Sequence, residues 1–531
     1  MTKGLKIVLP SSVTDDGSLR KLEHYYGIEF LRGASNGGGD NGYYKLIGDE
    51  TLMSEMRFHN QIKIAAVKDA QISYLLNQTN WTLTDGGAAA DLTGANGEDI
   101  MQVHTGKVYA IIGGTNATYE RFIVSDQPFS YDGDVAVEYT SFGETPDYEV
   151  IKDGKARSIY DETVLGTQND ANAQVLTNET SGLGMNSARG GFPTTSISRY
   201  GYEAYARAKN GNASSYAPYA PINCFDIELA QAFMFIEFRT KQLQNCLGHG
   251  ISSNAAPDAN SWGKVTGVRY QFAGDSTIYY ATLGTTINAG GSNINFWQLI
   301  NNYSPLWKMF EAQRAVSTGS SLEAVKNSDG EAVQGMGDGV MTGIYTKQFQ
   351  IKANIAPANS SDAKECTITY CFRIPIWRGR TRLWGHMSQW YSGYEVTKSA
   401  ASGVNKHTLY RAKSIEGMVK DSSDTEFGYE TSYDNLGLFA ASGYAKNMVT
   451  FNGISTAIGS DTGAARENYE SAGVWSDASV IPDGTKVRKG VHFGDAALSA
   501  AAVLRYAGVN DAPSNAYADV GSGFHVTLEN D

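Results

Sequence analysis

The sequence predicts an α+β fold in which short strands and long polar loops surround one long buried helix, behind a small N-terminal region. Three observations predict it. Apolar residues alternate over short stretches, one long segment carries helical spacing, and turn-forming residues punctuate the rest, with 58 Gly among 531 residues. No internal repeat period emerges.

Residues 1–85 are expected to form a separate N-terminal region. Within it, Ser35-Asn36-Gly37-Gly38-Gly39-Asp40-Asn41-Gly42 is a polar loop, and a more apolar stretch runs on to Trp81. Thr84-Asp85-Gly86-Gly87 and Ala88-Ala89-Ala90 make a break, after which residues 90–531 are expected to form the main domain. From Ile100 the pattern alternates: Met101 and Val103, then Val108, Ala110 and Ile112, closed by Gly113-Gly114, with a hairpin partner over 119–124. The clearest helix spans 225–247. Phe225, Leu229, Phe233, Ile236, Leu243 and Leu247 fall near helical spacing, Asn223 can cap the start and Gly248 stops the end. Met234 and Phe235 add apolar bulk off the main stripe, so this helix should be buried on most sides. A second helical candidate covers 296–316, with Pro305 as a break or restart. Short strands follow, notably 345–355, 366–376 and a closing strand at 523–528, where Phe524, Val526 and Leu528 should be framework.

Charge and composition exclude several classes. A formal net charge of −13 argues against a nucleic-acid binder, which needs a basic face, and against docking on an anionic bilayer. No run approaches the length of a membrane span, and the N-terminal apolar stretch is too short for a secretory signal, so the product is expected to stay in the reducing cytoplasm where it is made. Thirty-one Tyr against 43 Lys plus Arg suit an adhesive surface, or equally a sheet core. Cys224, Cys246, Cys366 and Cys371 form no CxxC pair. On one continuous helix Cys224 and Cys246 would stand ~30 Å apart, so buried free thiols are expected for all four.

Local motifs supply no catalytic constellation, cofactor or metal site. Gly37-x-Gly39-x-x-Gly42 has the letters of a dinucleotide loop, but lacks the strand before it and the helix after it. The eight His are scattered, with no HExxH, and no GxSxG elbow occurs. Acidic groups at Asp132/Asp134, at Asp421/Asp424/Glu426 and around Asp477 lack EF-hand spacing and read as solvated loops.

Several stretches, in order, resemble phage tail and fibre proteins with a C-type-lectin-like fold of the formylglycine-generating-enzyme type. Gly97-Glu98-Asp99-Ile100-Met101-Gln102-Val103, running on to Tyr109, is similar to the opening strand of that group, although Thr105-Gly106 replaces the usual proline. Residues 121–129 resemble the next strand and turn. Ser187-Ala188-Arg189-Gly190-Gly191-Phe192-Pro193 and Ala204-x-Ala206-Arg207-Ala208 resemble the approach to the main helix. Phe235-Ile236-Glu237-Phe238-Arg239-Thr240, Gln244 and Gly248-His249-Gly250 resemble its close. Leu383-Trp384-Gly385-His386-Met387-Ser388-Gln389-Trp390 and Ser471-Ala472-Gly473-Val474-Trp475 resemble later strands. The segment from Gly490-Val491-His492-Phe493-Gly494-Asp495 through Leu498-Ser499 to Gly523-Phe524-His525-Val526 looks like the end of retroelement-diversified variable proteins. The resemblance spans 90–531.

Formylglycine-generating enzymes use a late cysteine pair. No cysteine follows Cys371 here, so the expectation is a protein that is not an enzyme. The resemblance implies a ligand-binding surface within 490–528, drawn from Asp495, Ala496, Ser499, Tyr506, Val509, Asn510, Asp511, Ser514, Asn515, Tyr517 and Asp519. It implies a virion protein, assembled as a homotrimer, that contacts a host cell-surface glycan or protein through that surface and other virion proteins through the N-terminal region. A purely structural virion component, such as a head fibre, decoration or tail assembly protein, is the alternative. Tyr506 and Tyr517 exposed would favour the first, and buried between subunits the second.

Overall fold

The computed structural model describes residues 24–31, 44–91, 98–139 except 117, 142–144, 198–248 except 242, 256–299 except 297, 322–333, 342–380, 388–424, 431–439, 482–493 except 485, 512–515 and 520–528. It also describes the short strands at 11–13, 19–21, 149–152, 183–186, 443–444, 473–475 and 507–508. Strands dominate and helices are few, an α+β plan. Among the described residues the α-helices are α1 (Glu50–Ser54), α2 (Arg199–Lys209), α3 (Cys224–Phe238) and α4 (Gln244–Leu247).

The alternation at 100–124 forms strands Asp99–His104, Val108–Gly113 and Tyr119–Ser125, the last two paired as the expected hairpin. Their neighbours come from the N-terminal region. Tyr25–Leu31 lies between Tyr119–Ser125 and Tyr44–Gly48 in a five-stranded sheet. Ile62–Lys68 pairs with Asp99–His104 in a seven-stranded sheet, which also takes in the closing strand Phe524–Thr527. The division expected near residues 85–90 therefore does not separate two cores. The loop composition there marks a turn, closed by Gly87 N–H donating to Thr84 O at 2.9 Å, while the strands on either side satisfy each other's backbone groups.

One face of the five-stranded sheet, with Tyr26, Ile28, Phe30, Val108, Ala110, Ile112, Phe122 and Val124, packs on α3. The opposite face buries Ile47, Ile111 and Ile123 against Tyr25, Phe129 and Tyr131. Helix α3 starts at the expected cap. Asn223 Oδ1 accepts from Phe225 N–H at 3.0 Å, and Asp226 Oδ2 accepts from Asn223 N–H at 3.0 Å, a reciprocal capping box. Every residue of α3 except Phe225 is buried, as its all-round apolar composition requires. Full burial of side chains such as Phe233, Phe235 and Ile236 contributes about 1.5–3 kcal/mol each.

The helix ends earlier than its periodicity suggests. Arg239 turns into the left-handed region, φ 55°, and α4 resumes only at Gln244 before Gly248. Past Phe238 the polar side chains find partners on other elements, with Arg239 bound to Asp329 and Lys241 Nζ to Glu120 Oε2 at 3.0 Å. Those contacts outweigh continuation of the helix. The spacing argument for Cys224 and Cys246 falls with it, although all four cysteines are free thiols: Cys224, Cys366 and Cys371 buried, Cys246 half-buried. Strands Gly343–Pro357 and Lys364–Ile376 pair along their length in a further sheet. Most of the expected helix over 296–316 lies outside the described residues.

The carboxylates of α3 face inward, and each meets a base from a different element. Asp226 Oδ1 lies 2.7 Å from His525 Nδ1, and Glu228 receives both Arg411 and the Tyr394 hydroxyl. Glu237 receives Trp377 Nε1 at 2.7 Å and two nitrogens of Arg378, at 3.0 and 2.9 Å. Burial pushes the Glu237 carboxyl up, but the Arg378 guanidinium and the hydrogen bonds from Arg378 and Trp377 outweigh it and hold it below the usual carboxylate range. Burial lowers His59 to about 3, so the ring is neutral. Its Nε2–H then donates to Phe233 O at 2.8 Å, while Nδ1 accepts from the Tyr26 hydroxyl at 2.8 Å.

Candidate binding surface

The frame for the expected C-terminal surface is the sheet centred on Ser388–Ala401. That strand pairs with Val404–Ala412 on one side and Lys486–Phe493 on the other, and runs parallel to Val520–Gly521 at its start. Its register shifts between Tyr391 and Val396. Gly393, φ +83°, sits inside that bulge, where a Cβ would come 2.7 Å from Cys224 Sγ. Only glycine lets the strand press on the start of α3 there.

The bulge turns Glu395 into a buried ionic cluster with bases from two other elements. Arg199, the first residue of α2, donates from Nη2 to Glu395 Oε1 at 2.7 Å, and Arg488 donates from Nε to Oε2 at 2.8 Å and from Nη2 to Oε1 at 2.8 Å. Burial raises the Glu395 carboxyl, but the two guanidiniums prevail and hold it below its ordinary range. Glu203, one turn along α2, accepts the Ser392 hydroxyl at 2.7 Å and lies 3.3 Å from Arg199 Nε without hydrogen-bond geometry. Its Oε2 has no hydrogen-bond partner among the described residues, and burial pushes this carboxyl above the usual range despite Arg199.

The cluster reaches the surface through Arg488 and Tyr200. Arg488 Nη1 donates to Asp421 Oδ1 at 2.8 Å, and the Tyr200 hydroxyl bonds Ser423 O at 2.6 Å and Asp424 Oδ1 at 2.9 Å. Asp424 in turn accepts the Ser514 hydroxyl, and Arg199 N–H donates to Pro513 O at 3.0 Å. The loop 512–515, closed by Asn515 N–H on Ala512 O, is thereby tied to the acidic loop 421–424 and to the first turn of α2. A loop held this way can present side chains without a large ordering cost on binding.

Of the expected surface residues, Ser514 is exposed with its hydroxyl committed to Asp424, and Asn515 is half-buried. Asp495, Ala496, Ser499, Tyr506, Val509, Asn510, Asp511, Tyr517 and Asp519 lie outside the described residues. In the closing strand Val526 is buried and Leu528 partly so, and His525, on the opposite face, is also buried against Asp226. That strand is covered on both faces.

Of the acidic groups read as solvated loops, Asp132 and Asp421 are exposed and also ion-paired, Asp134 is buried, and Asp424 is half-buried and bonds hydroxyl groups. Asp132 and Asp134 both bind Arg121, which also holds Glu29, and Asp421 binds Arg488. Glu426 and Asp477 lie outside the described residues, as does the loop from Gly37 to Gly42. Among the described residues, no group of three His, Cys, Asp or Glu side chains is arranged to hold a metal ion, and no helix is long and apolar enough to cross a membrane. The residues that sequence reasoning missed are Arg199, Tyr200, Glu395 and Arg488. The available signal was a charged residue at an inward position of a strand, as Arg488 is in Lys486–Phe493. Comparison with known protein families, curated proteins and solved structures finds no match to this chain.

Proposed function

We propose that this chain is a phage virion structural protein, not an enzyme, that adheres to a host cell-surface glycan or protein through its C-terminal region on a C-type-lectin-like framework. One observation carries the proposal: the buried Arg199–Glu395–Arg488 cluster fixes loop 512–515 against the acidic loop, the kind of rigid base that a displayed contact surface needs. The ordered motifs from Gly97 to Val526 support the family reading, and the α+β architecture is compatible with it. In this reading the chain is a homotrimer, held to other virion proteins through its N-terminal region, and it neither binds nucleic acid nor inserts into membrane.

The test uses the full chain, because strands from residues 25–84 share sheets with later ones. Labelled protein is titrated onto intact candidate host cells beside a variant with Tyr506, Asn510, Asn515 and Tyr517 all changed to Ala. Saturable binding, lost in the variant while its circular dichroism and melting stay unchanged, is expected. Assembly into virions with no binding to any host that the phage infects would replace the adhesin reading with the structural one.

A further inference from the structure

At the opposite end of α3 from its cap lies an open cavity of about 460 Å³. Strand Tyr44–Gly48, α1, the end of α3 and the turn at 327–333 form its walls. Its size falls in the range of small-molecule sites, roughly 300–1,000 Å³. Ile47, Met53, Met56 and Val333 supply apolar walls, and the thioethers can adapt to an irregular hydrocarbon.

Two helix ends border the cavity. Eight non-glycine residues among those described have left-handed φ. Asp69, Ala70, Asp132, Arg378, Asn359 and Ser402 occupy turns between strands or a bridge-closed turn. The other two, Met56 and Arg239, both line the cavity. Both close helices: Met56 sits in the turn after α1, with Arg57 N–H donating to Leu52 O and Met56 N–H to Met53 O, and Arg239 ends α3.

Charge gives the ligand class. Glu237 at the base is matched by Arg378, while Arg239 is matched by Asp329 at 2.5 Å and by Glu331 at 2.9 Å. Counting Glu50 as well, four carboxylates meet two guanidiniums, an excess of two negative charges. Glu50 and Glu331 are exposed at the rim.

We propose that this cavity is a second binding site, separate from the C-terminal surface, for a small aliphatic ammonium compound. The hydrocarbon lies against Ile47, Met53, Met56 and Val333, and the nitrogen is held by the rim carboxylates of Glu50 and Glu331.

The test is calorimetric titration of the full chain with hexylammonium, hexanoate and 1-hexanol. Saturable one-to-one binding of hexylammonium is expected, with Kd on the order of 1 mM for so small a ligand. Hexanoate should not bind. Changing both Glu50→Gln and Glu331→Gln should weaken hexylammonium about tenfold or more. Both positions are exposed and Arg239 keeps Asp329, so the fold is spared. Ala332→Phe, at an exposed lining position, should abolish binding by filling the space. The four-residue C-terminal variant should bind hexylammonium unchanged, which separates this site from the adhesive one. Absence of saturable heat up to roughly 20 mM hexylammonium, equal affinity for hexanoate, or wild-type affinity in the double Gln variant would each overturn the proposal.

Discussion

Two buried ionic clusters are built from the same residue types, and they differ in how fully their carboxylates are matched. At the end of α3, Glu237 receives three charge-assisted or indole hydrogen bonds, and its carboxyl is held below the ordinary range. Under the C-terminal loop, Glu395 is matched as well by Arg199 and Arg488. Its neighbour Glu203 is matched only in part: one oxygen lies near Arg199 and the Ser392 hydroxyl, the other has no hydrogen-bond partner among the described residues, and burial drives its pKa up. The difference teaches where each cluster puts its free energy. The α3 cluster is a closed structural knot. The C-terminal cluster holds a matched core, a partly matched acid beside it, and a route to the surface through Arg488 and Tyr200.

The largest effect should come from breaking the closed knot. Arg378→Met leaves the Glu237 charge buried with Trp377 Nε1 as its remaining hydrogen-bond donor among the described residues, and should cost about 3–5 kcal/mol by urea denaturation. A loss under about 1 kcal/mol would show that Glu237 is not buried as a charge, and the contrast would collapse.

Arg488→Met should cost less, about 2 kcal/mol, because Glu395 keeps Arg199. Its second signature sharpens the comparison. Hydrogen exchange should quicken at residues 512–515 and 421–424, and stay at wild-type rates in α3. Uniform quickening across the chain would mean that the cluster is not a local anchor for the loop.

The smallest effect should come from Glu203→Gln, within about 1 kcal/mol near neutral pH. The sign of its pH dependence is diagnostic. A carboxyl whose pKa is raised on folding adds no penalty below its unfolded value, near 4.5, and an increasing one as the pH rises toward its folded value. Relative to wild type, the variant should therefore gain melting temperature as the pH rises from about 4 to about 8. Glu237 and Glu395 act in the opposite sense, contributing stability above the unfolded pKa that is lost as the pH falls through their lowered values. They are common to both proteins, so the difference curve isolates Glu203. A flat difference would place Glu203 in a hydrated site.

Much of the local structure was legible. The hairpin at 108–125 followed from period-two alternation ending in Gly113-Gly114, and the start of α3 from Asn223 ahead of an apolar run. The end of α3 was not. Nothing within 225–247 announces that Arg239 will leave the helix, because its partners Asp329 and Glu331 lie about ninety residues away in the chain. The separate N-terminal region failed for a related reason. Glycine-rich composition near residue 85 reports local turning, whereas sheet membership is decided by which strands can pair. Of the candidate surface, Ser514 and Asn515 fall in described structure, and the residues that anchor their loop carry no motif.

The sequence by itself determined the α+β class, the burial of α3 and the strand and turn positions, because propensity, capping and hydrophobic period act within a few residues. Only the tertiary structure decided where α3 stops, that residues 25–84 share sheets with the rest, and which acids meet which bases. Those outcomes depend on matching buried charges and backbone groups across hundreds of residues, and no local pattern encodes such a match.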